Sequence, residues 1–148
     1  MAKRIERSAL VNYSVDQMYE LVNDFESYPK YMSGCVGTEL LGRGDDWLEA
    51  RLYLEKAGIK QSFVTHNTLN PPHSMKLRLV EGPFKRMDGE WTFQALSETA
   101  CKVNFWLEFE FTNRLIGFAA GKIFEQVATE QVNALCARAK DVYGKQEN

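Results

Sequence analysis

Two histidines, three cysteines and one adjacent acidic pair are the side chains of this 148-residue chain best suited by type to covalent, metal or acid–base chemistry. Their spacing argues against each in turn. Cys35, Cys101 and Cys136 lie far apart, with no C-x-x-C and no histidine nearby in sequence. Neither a zinc site nor a disulfide framework is expected, and a reducing compartment suits them. His73 follows two prolines in a turn, and His66 lies on the strand face opposite Phe63, where no acidic partner can be placed beside it. Asp45 and Asp46 sit in "RGDDW", a hairpin-turn composition, not a carboxylate pair aimed into a pocket. No nucleophile elbow, phosphate-cradling loop, H-E-x-x-H or dinucleotide fingerprint occurs. The chain is expected not to be an enzyme and to hold no metal or resident cofactor. A lone acid in an aromatic cavity can still catalyse, so an enzyme stays as an alternative.

What remains is apolar rings, amides and one cluster of cations. "FESYPKYMSGC" carries Phe25, Tyr28 and Tyr31 at a spacing of three, with Met32 beside them. Pro29 can begin a turn and cannot continue one, so the segment reads as a short lid with its rings along one side. Those rings either close a core or line the mouth of a cavity. Gln61, Thr65 and Asn67 share a strand face with Ile59, Phe63 and Leu69, and Gln131 falls in an apolar helix stripe. Each could orient a ligand carbonyl or simply bond a neighbour or a water. Lys76, Arg78, Lys85 and Arg86 cluster within eleven residues, but Glu81, Asp88 and Glu90 are interleaved and the net charge is −2. The chain as a whole has no drive toward DNA.

The elements that must position these groups follow from periodicity. A strand is expected over 4–12 and a short helix from Ser14 to about Asp24, with a Ser14/Gln17 capping box and a Tyr13/Met18 staple. Period-two runs over 35–43, 47–56, 59–69, 74–81, 87–96 and 101–111 then predict a meander of antiparallel strands. In the last, Cys101, Val103, Phe105, Leu107, Phe109 and Phe111 share one face, and a slip of one residue would bury two glutamates. A long helix is predicted over 116–143, with a stripe of Ala120, Phe124, Val127, Ala128, Gln131, Leu135 and Val142. Its first turns, Gly117 to Gly121, are small enough for close approach to a sheet.

These elements give an α+β fold, a strongly curved seven-stranded antiparallel sheet gripping the C-terminal helix on its concave face. Space is expected at one end, because a curved sheet does not match a straight cylinder. In "EGPFKRMDGEW", Gly82-Pro83 turns a corner, Phe84 swings to the concave side, and Gly89 leaves space beside Trp91. A single domain over 1–144 and a flexible tail over 145–148 complete the reading. With no signal peptide and no run able to span a bilayer, a soluble cytoplasmic protein is expected.

"SALVNYSVDQMYELVNDFESYPKYMSGC", "EGPFKRMDGEWTF", "FEFTNRLIGFAAGKIFEQVA" and "RAKDVYG" together resemble the START-like coenzyme Q-binding family, in particular its bacterial ribosome association toxin branch. An older grouping is with oligoketide cyclases and lipid transport proteins. The resemblance covers nearly the whole chain. It implies a helix-grip fold and an internal cavity for a polyprenylated quinone, ubiquinone above all, in support of respiration. Noncatalytic binding of that ligand is the leading expectation; the alternative, implied for the toxin branch, is binding to the large ribosomal subunit that blocks subunit association. A cyclase-like enzyme is the third possibility. Two departures stand out: Ser33 occupies a usual proline in the loop before Gly34-Cys35, and Leu135-Cys136 replaces a usual Ala-Phe pair.

The candidate ligand-lining residues are Tyr28, Tyr31, Phe84, Trp91, Phe93, Phe105, Phe124 and Gln131. The candidate ribosome contacts are Lys76, Arg78, Lys85 and Arg86. A hydrophobic small molecule, the large ribosomal subunit and transient membrane contact are the expected partners.

Overall fold

The chain begins with strand β1 (Lys3–Val11), then α1 (Val15–Asn23) and a 3-10 turn (Phe25–Lys30). Six strands follow: β2 (Cys35–Arg43), β3 (Trp47–Lys56), β4 (Ile59–Asn70), β5 (Ser74–Glu81), β6 (Phe84–Ser97) and β7 (Ala100–Phe111). Helix α2 (Arg114–Tyr143) ends the fold. The computed structural model describes residues 2–144, apart from the side chains of 114–119. The expected tail and the side chain of Ala119 lie outside the described residues.

All seven strands form one antiparallel sheet in the order β1-β7-β6-β5-β4-β3-β2. Meander strands pair with their sequence neighbours, and β1 closes onto β7 at the far edge. Alternation sets the faces. On β7, Cys101, Val103, Phe105, Leu107 and Phe109 are buried and the residues between them half-buried. Bulges in β2, β5 and β6 break the register locally and bend the sheet, as bulged strands do. The Ala57-Gly58 turn has positive φ at both residues, which suits the twist of a two-residue hairpin.

The capping box at Ser14 forms as the spacing demands, with Gln17 N donating to Ser14 Oγ and Ser14 N donating to Gln17 Oε1. Tyr13 and Met18 are both buried at the start of α1. The end of α2 is tied to the same place. Tyr13 Oη donates to the Gly144 carbonyl at 2.7 Å, and Tyr143 Oη donates to the Gln17 carbonyl at 2.9 Å.

Three local expectations change. Val132 and Ala139 complete the buried stripe of α2, while Val142 is 47% exposed. Gly89 does not make room for Trp91: a Cβ there would lie 2.6 Å from the Trp106 carbonyl and 2.9 Å from Leu107. The glycine permits close contact with β7. Strand β6 also starts at Phe84, directly after Gly82-Pro83, so the corner is tighter than a strand beginning at 87 would give.

Candidate functional site

Between the sheet and α2 lies an apolar chamber of about 70 Å³. Its floor is the concave face of β3 to β7, where Leu52, Phe63, Met75, Met87, Trp91 and Phe105 converge. Phe124, Val127, Ala128 and Gln131 of α2 form the roof. Phe25 and Tyr28, stacked three apart on the 3-10 turn, close one end together with Met32 just beyond the turn. The lid reading of the 25–35 segment therefore has a geometric basis.

Register settles which face of β4 is concave. Phe63, Thr65 and Asn67 stand opposite Leu52, Ala50 and Leu48 of β3, all on the chamber side. Thr65 and Asn67 are 7% and 8% exposed and are the only buried polar residues among the described residues. Thr65 Oγ1 donates to Asn67 Oδ1 at 2.8 Å, and Asn67 Nδ2 meets Met75 Sδ at 3.8 Å. Among the described residues, no Asp, Glu, Lys, Arg or His lines the chamber.

The titratable groups that do line it are Tyr28 and Cys35, and both are held neutral. Burial, followed by the neighbouring Tyr31, Cys35 and Asp24, pushes the Tyr28 phenol well above its ordinary range, so it stays a donor and bonds the Val22 carbonyl. Burial likewise raises the Cys35 thiol, and pushes Cys101, with some help from Cys136, up to about 11. Neutral thiols are poor nucleophiles. Among the described lining residues, both titratable groups stay protonated at neutral pH.

Five of the eight expected lining residues, Tyr28, Trp91, Phe105, Phe124 and Gln131, meet in this chamber. The other three lie around it. Phe84 sits in an aromatic cluster with Phe63, Phe109, Phe111 and Phe124, its ring centre 4.9 Å from that of Phe124. Phe93 stacks on Trp91 at 6.4 Å and meets Tyr19 edge-on. Tyr31 faces an outer groove of about 380 Å³ between lid and α2, with Arg138 over its ring at 5.2 Å. Met32, Val127 and Gln131 border both that groove and the chamber, which makes them its mouth. The wall residues missing from the sequence-based set include Phe63, Thr65 and Asn67 of β4 and the methionines Met32, Met75 and Met87; Met75 and Leu77 alternate on β5, which was the available signal.

All four expected ribosome-contacting residues line one open groove of about 810 Å³ on the convex face. Acids answer two of them: Arg86 pairs with Glu108 at 3.2 Å and Lys85 with Glu110 at 3.8 Å. Lys76 and Arg78, across from Glu90 and Asp88 in the ladder, make no ion pair among the described residues. His66 closes the groove's edge, and here the sequence expectation fails: Glu49, directly opposite on β3, lies 3.0 Å from its Nδ1, and Trp47 stacks on its ring. Cross-strand register supplies the acidic partner that linear spacing hides.

The ladder between β5 and β6 ends at Arg78 and Asp88 while both strands run on. Leu77 and Met87, near that fork, border both the chamber and the convex groove.

Residues 11–136 match the family model described as polyketide cyclase / dehydrase and lipid transport. The chain belongs to this family. It is 46% identical over 140 residues to the ribosome association toxin RatA of Escherichia coli strain K12, covering 95% of this chain and 89% of that protein. It is 27% identical over 152 residues to coenzyme Q-binding protein COQ10 homolog B of Xenopus laevis, covering 99% of this chain and 62% of that protein. Among solved structures, the Zhui aromatase/cyclase from Streptomyces sp. R1128 superimposes with a TM-score of 0.82 at 18% identity, covering 95% of this chain and 94% of that one. That likeness establishes a shared START-like, helix-grip architecture and nothing of chemistry. No helix among the described residues is long and apolar enough to cross a membrane.

Proposed function

We propose that the protein is a noncatalytic ribosome-association factor, acting in the cytoplasm on the large ribosomal subunit. The observation that carries this reading is the 46% identity to a ribosome association toxin across 95% of the chain. Identity of that extent reaches beyond the core positions that a helix-grip fold would require. The convex groove supports it, since Lys76 and Arg78 are cations without ion-pair partners among the described residues and are free to neutralise phosphate. The test is subunit reassociation followed on sucrose gradients. Added protein should lower the yield of assembled ribosomes, in a manner relieved by salt. Unchanged profiles at low salt would sink the reading.

A second reading is favoured by the chamber: storage or delivery of a neutral hydrophobic ligand, with ubiquinone or a similar polyprenylated quinone the leading candidate and respiration the process served. The chamber's 70 Å³ is well below the roughly 300–1,000 Å³ of ligand pockets, so a prenyl tail must leave through the Met32–Val127–Gln131 mouth or spread the lid. Burying that tail at about 25 cal/mol per Å² would supply most of the affinity. Transient membrane contact would load it. Organic extraction of protein purified from its own host should yield a quinone. Clean apo protein that also fails to take up added quinone would remove this role.

A further inference from the structure

We propose that Asn67 and Thr65 form an anchor in the chamber wall for the carbonyl oxygen of a compact, uncharged ligand. The inference rests on the second reading, in which the chamber holds a ligand, and adds which chemistry it selects.

Thr65 and Asn67 are the polar exceptions in a buried apolar surface, and both belong to the wall. Their own hydrogen bond fixes the direction of the amide. Thr65 Oγ1 donates to Asn67 Oδ1 at 2.8 Å, so Asn67 turns its Nδ2 away from β4's hydroxyl and toward Met75 Sδ, 3.8 Å distant. The reversed amide would set its oxygen lone pairs against the sulfur. A side-chain amide carries two N–H donors, and sulfur is a weak acceptor for one of them. The second N–H has no partner among the described residues. A buried donor without an acceptor is costly, and an incoming oxygen lone pair removes that cost.

The wall also states what is refused. With no Lys, Arg or His in the lining among the described residues, a carboxylate or phosphate head would enter without a counter-charge from them, at a high desolvation cost. The volume, about 70 Å³ against the roughly 10–15 Å³ that one water needs, fits a small ring in the resting state. A ketone or quinone-like carbonyl on a compact ring meets all three conditions.

The matched probes are cyclopentanone and methylenecyclopentane, which share a shape and differ in carrying C=O or C=CH₂. Methionine methyl NMR reads the chamber directly, because Met32, Met75 and Met87 all line it. The wild-type protein should bind the ketone about threefold to tenfold more tightly than the olefin, the worth of one neutral hydrogen bond. Asn67→Leu should bind both alike. Thr65→Val, which releases the amide to rotate, should narrow the preference even if Asn67→Leu does not fold. Equal binding of the two probes by wild type, or a preference that survives in Asn67→Leu, overturns the anchor while leaving the chamber reading intact. If neither probe moves the methyl signals at saturation in water, the chamber reading falls and the anchor with it.

Discussion

The two faces of strands β4 to β7 are made from alternate residues of the same chain segments, yet they solve opposite problems. Inward, Phe63, Met75, Trp91 and Phe105 surround a space whose buried polar feature on the sheet is the Thr65–Asn67 hydroxyl–amide pair. Outward, Arg86, Asp88, Glu108 and Trp106 make a mixed-charge surface in which Glu108 serves both Arg4 and Arg86. Selectivity inside comes from what the wall excludes. Outside, most cations are already answered, so a polyanion would be drawn chiefly to Lys76 and Arg78. Exposed ion pairs are worth about 0–1 kcal/mol each, whereas packed rings are worth several. Evolution can therefore retune the convex face without touching the fold, and cannot do the same inside.

The largest expected effect tests the inner face. Phe124 contacts Phe63, Phe84, Phe109 and Phe111 through ring centres 4.8–6.0 Å apart, so Phe124→Ala should cost about 3–5 kcal/mol in denaturant unfolding. A loss near zero would mean the chamber roof is not packed. Next, Gly89→Ala forces a methyl against the Trp106 carbonyl and should cost about 1–3 kcal/mol by the same assay, although the outward faces of β6 and β7 keep every charge. The pH dependence sharpens the contrast. Cys101 is held protonated in the fold up to about 11, against an ordinary value of 9.0, so the native state binds the extra proton between these limits. Stability should fall as pH rises from about 9 to 11, and Cys101→Ala should flatten that slope. The smallest effect belongs to the outer face: Lys76→Gln with Arg78→Gln, which sets no like charges against Glu90 and Asp88, should change stability by no more than about 0.5 kcal/mol. A larger loss would show that the convex cations hold the fold.

Strongly periodic segments were readable without coordinates. The β7 alternation, the Ser14/Gln17 box and the paired lid rings Phe25 and Tyr28 each rest on local chemistry, and each is present, whereas Tyr31, just past the 3-10 turn, faces the outer groove. What stayed hidden depends on partners distant in sequence. Glu49 meets His66 only through the β3–β4 register, and Gly89 is dictated by the backbone of β7. Val142 continues a helical stripe on paper but lies beyond the end of the sheet's grip, where Tyr13 and Tyr143 already close the core. For the site, aromatic residues were easy to nominate and hard to apportion between wall and core: Phe84 and Phe93 are as buried as Phe105 but spend their surface on other rings. The methionines were undervalued because alternation, as at Met75 and Leu77, gives a side chain's face but not whether it lines a space or fills one.

The division of labour between the faces is tested most directly by co-sedimentation with separated large and small ribosomal subunits at low salt. Wild type should pellet with the large subunit, Lys76→Glu with Arg78→Glu should remain folded in the supernatant, and Lys85→Glu with Arg86→Glu should be weakened less. Absence of wild-type co-sedimentation, or undiminished pelleting of the Lys76/Arg78 reversal, would contradict the account.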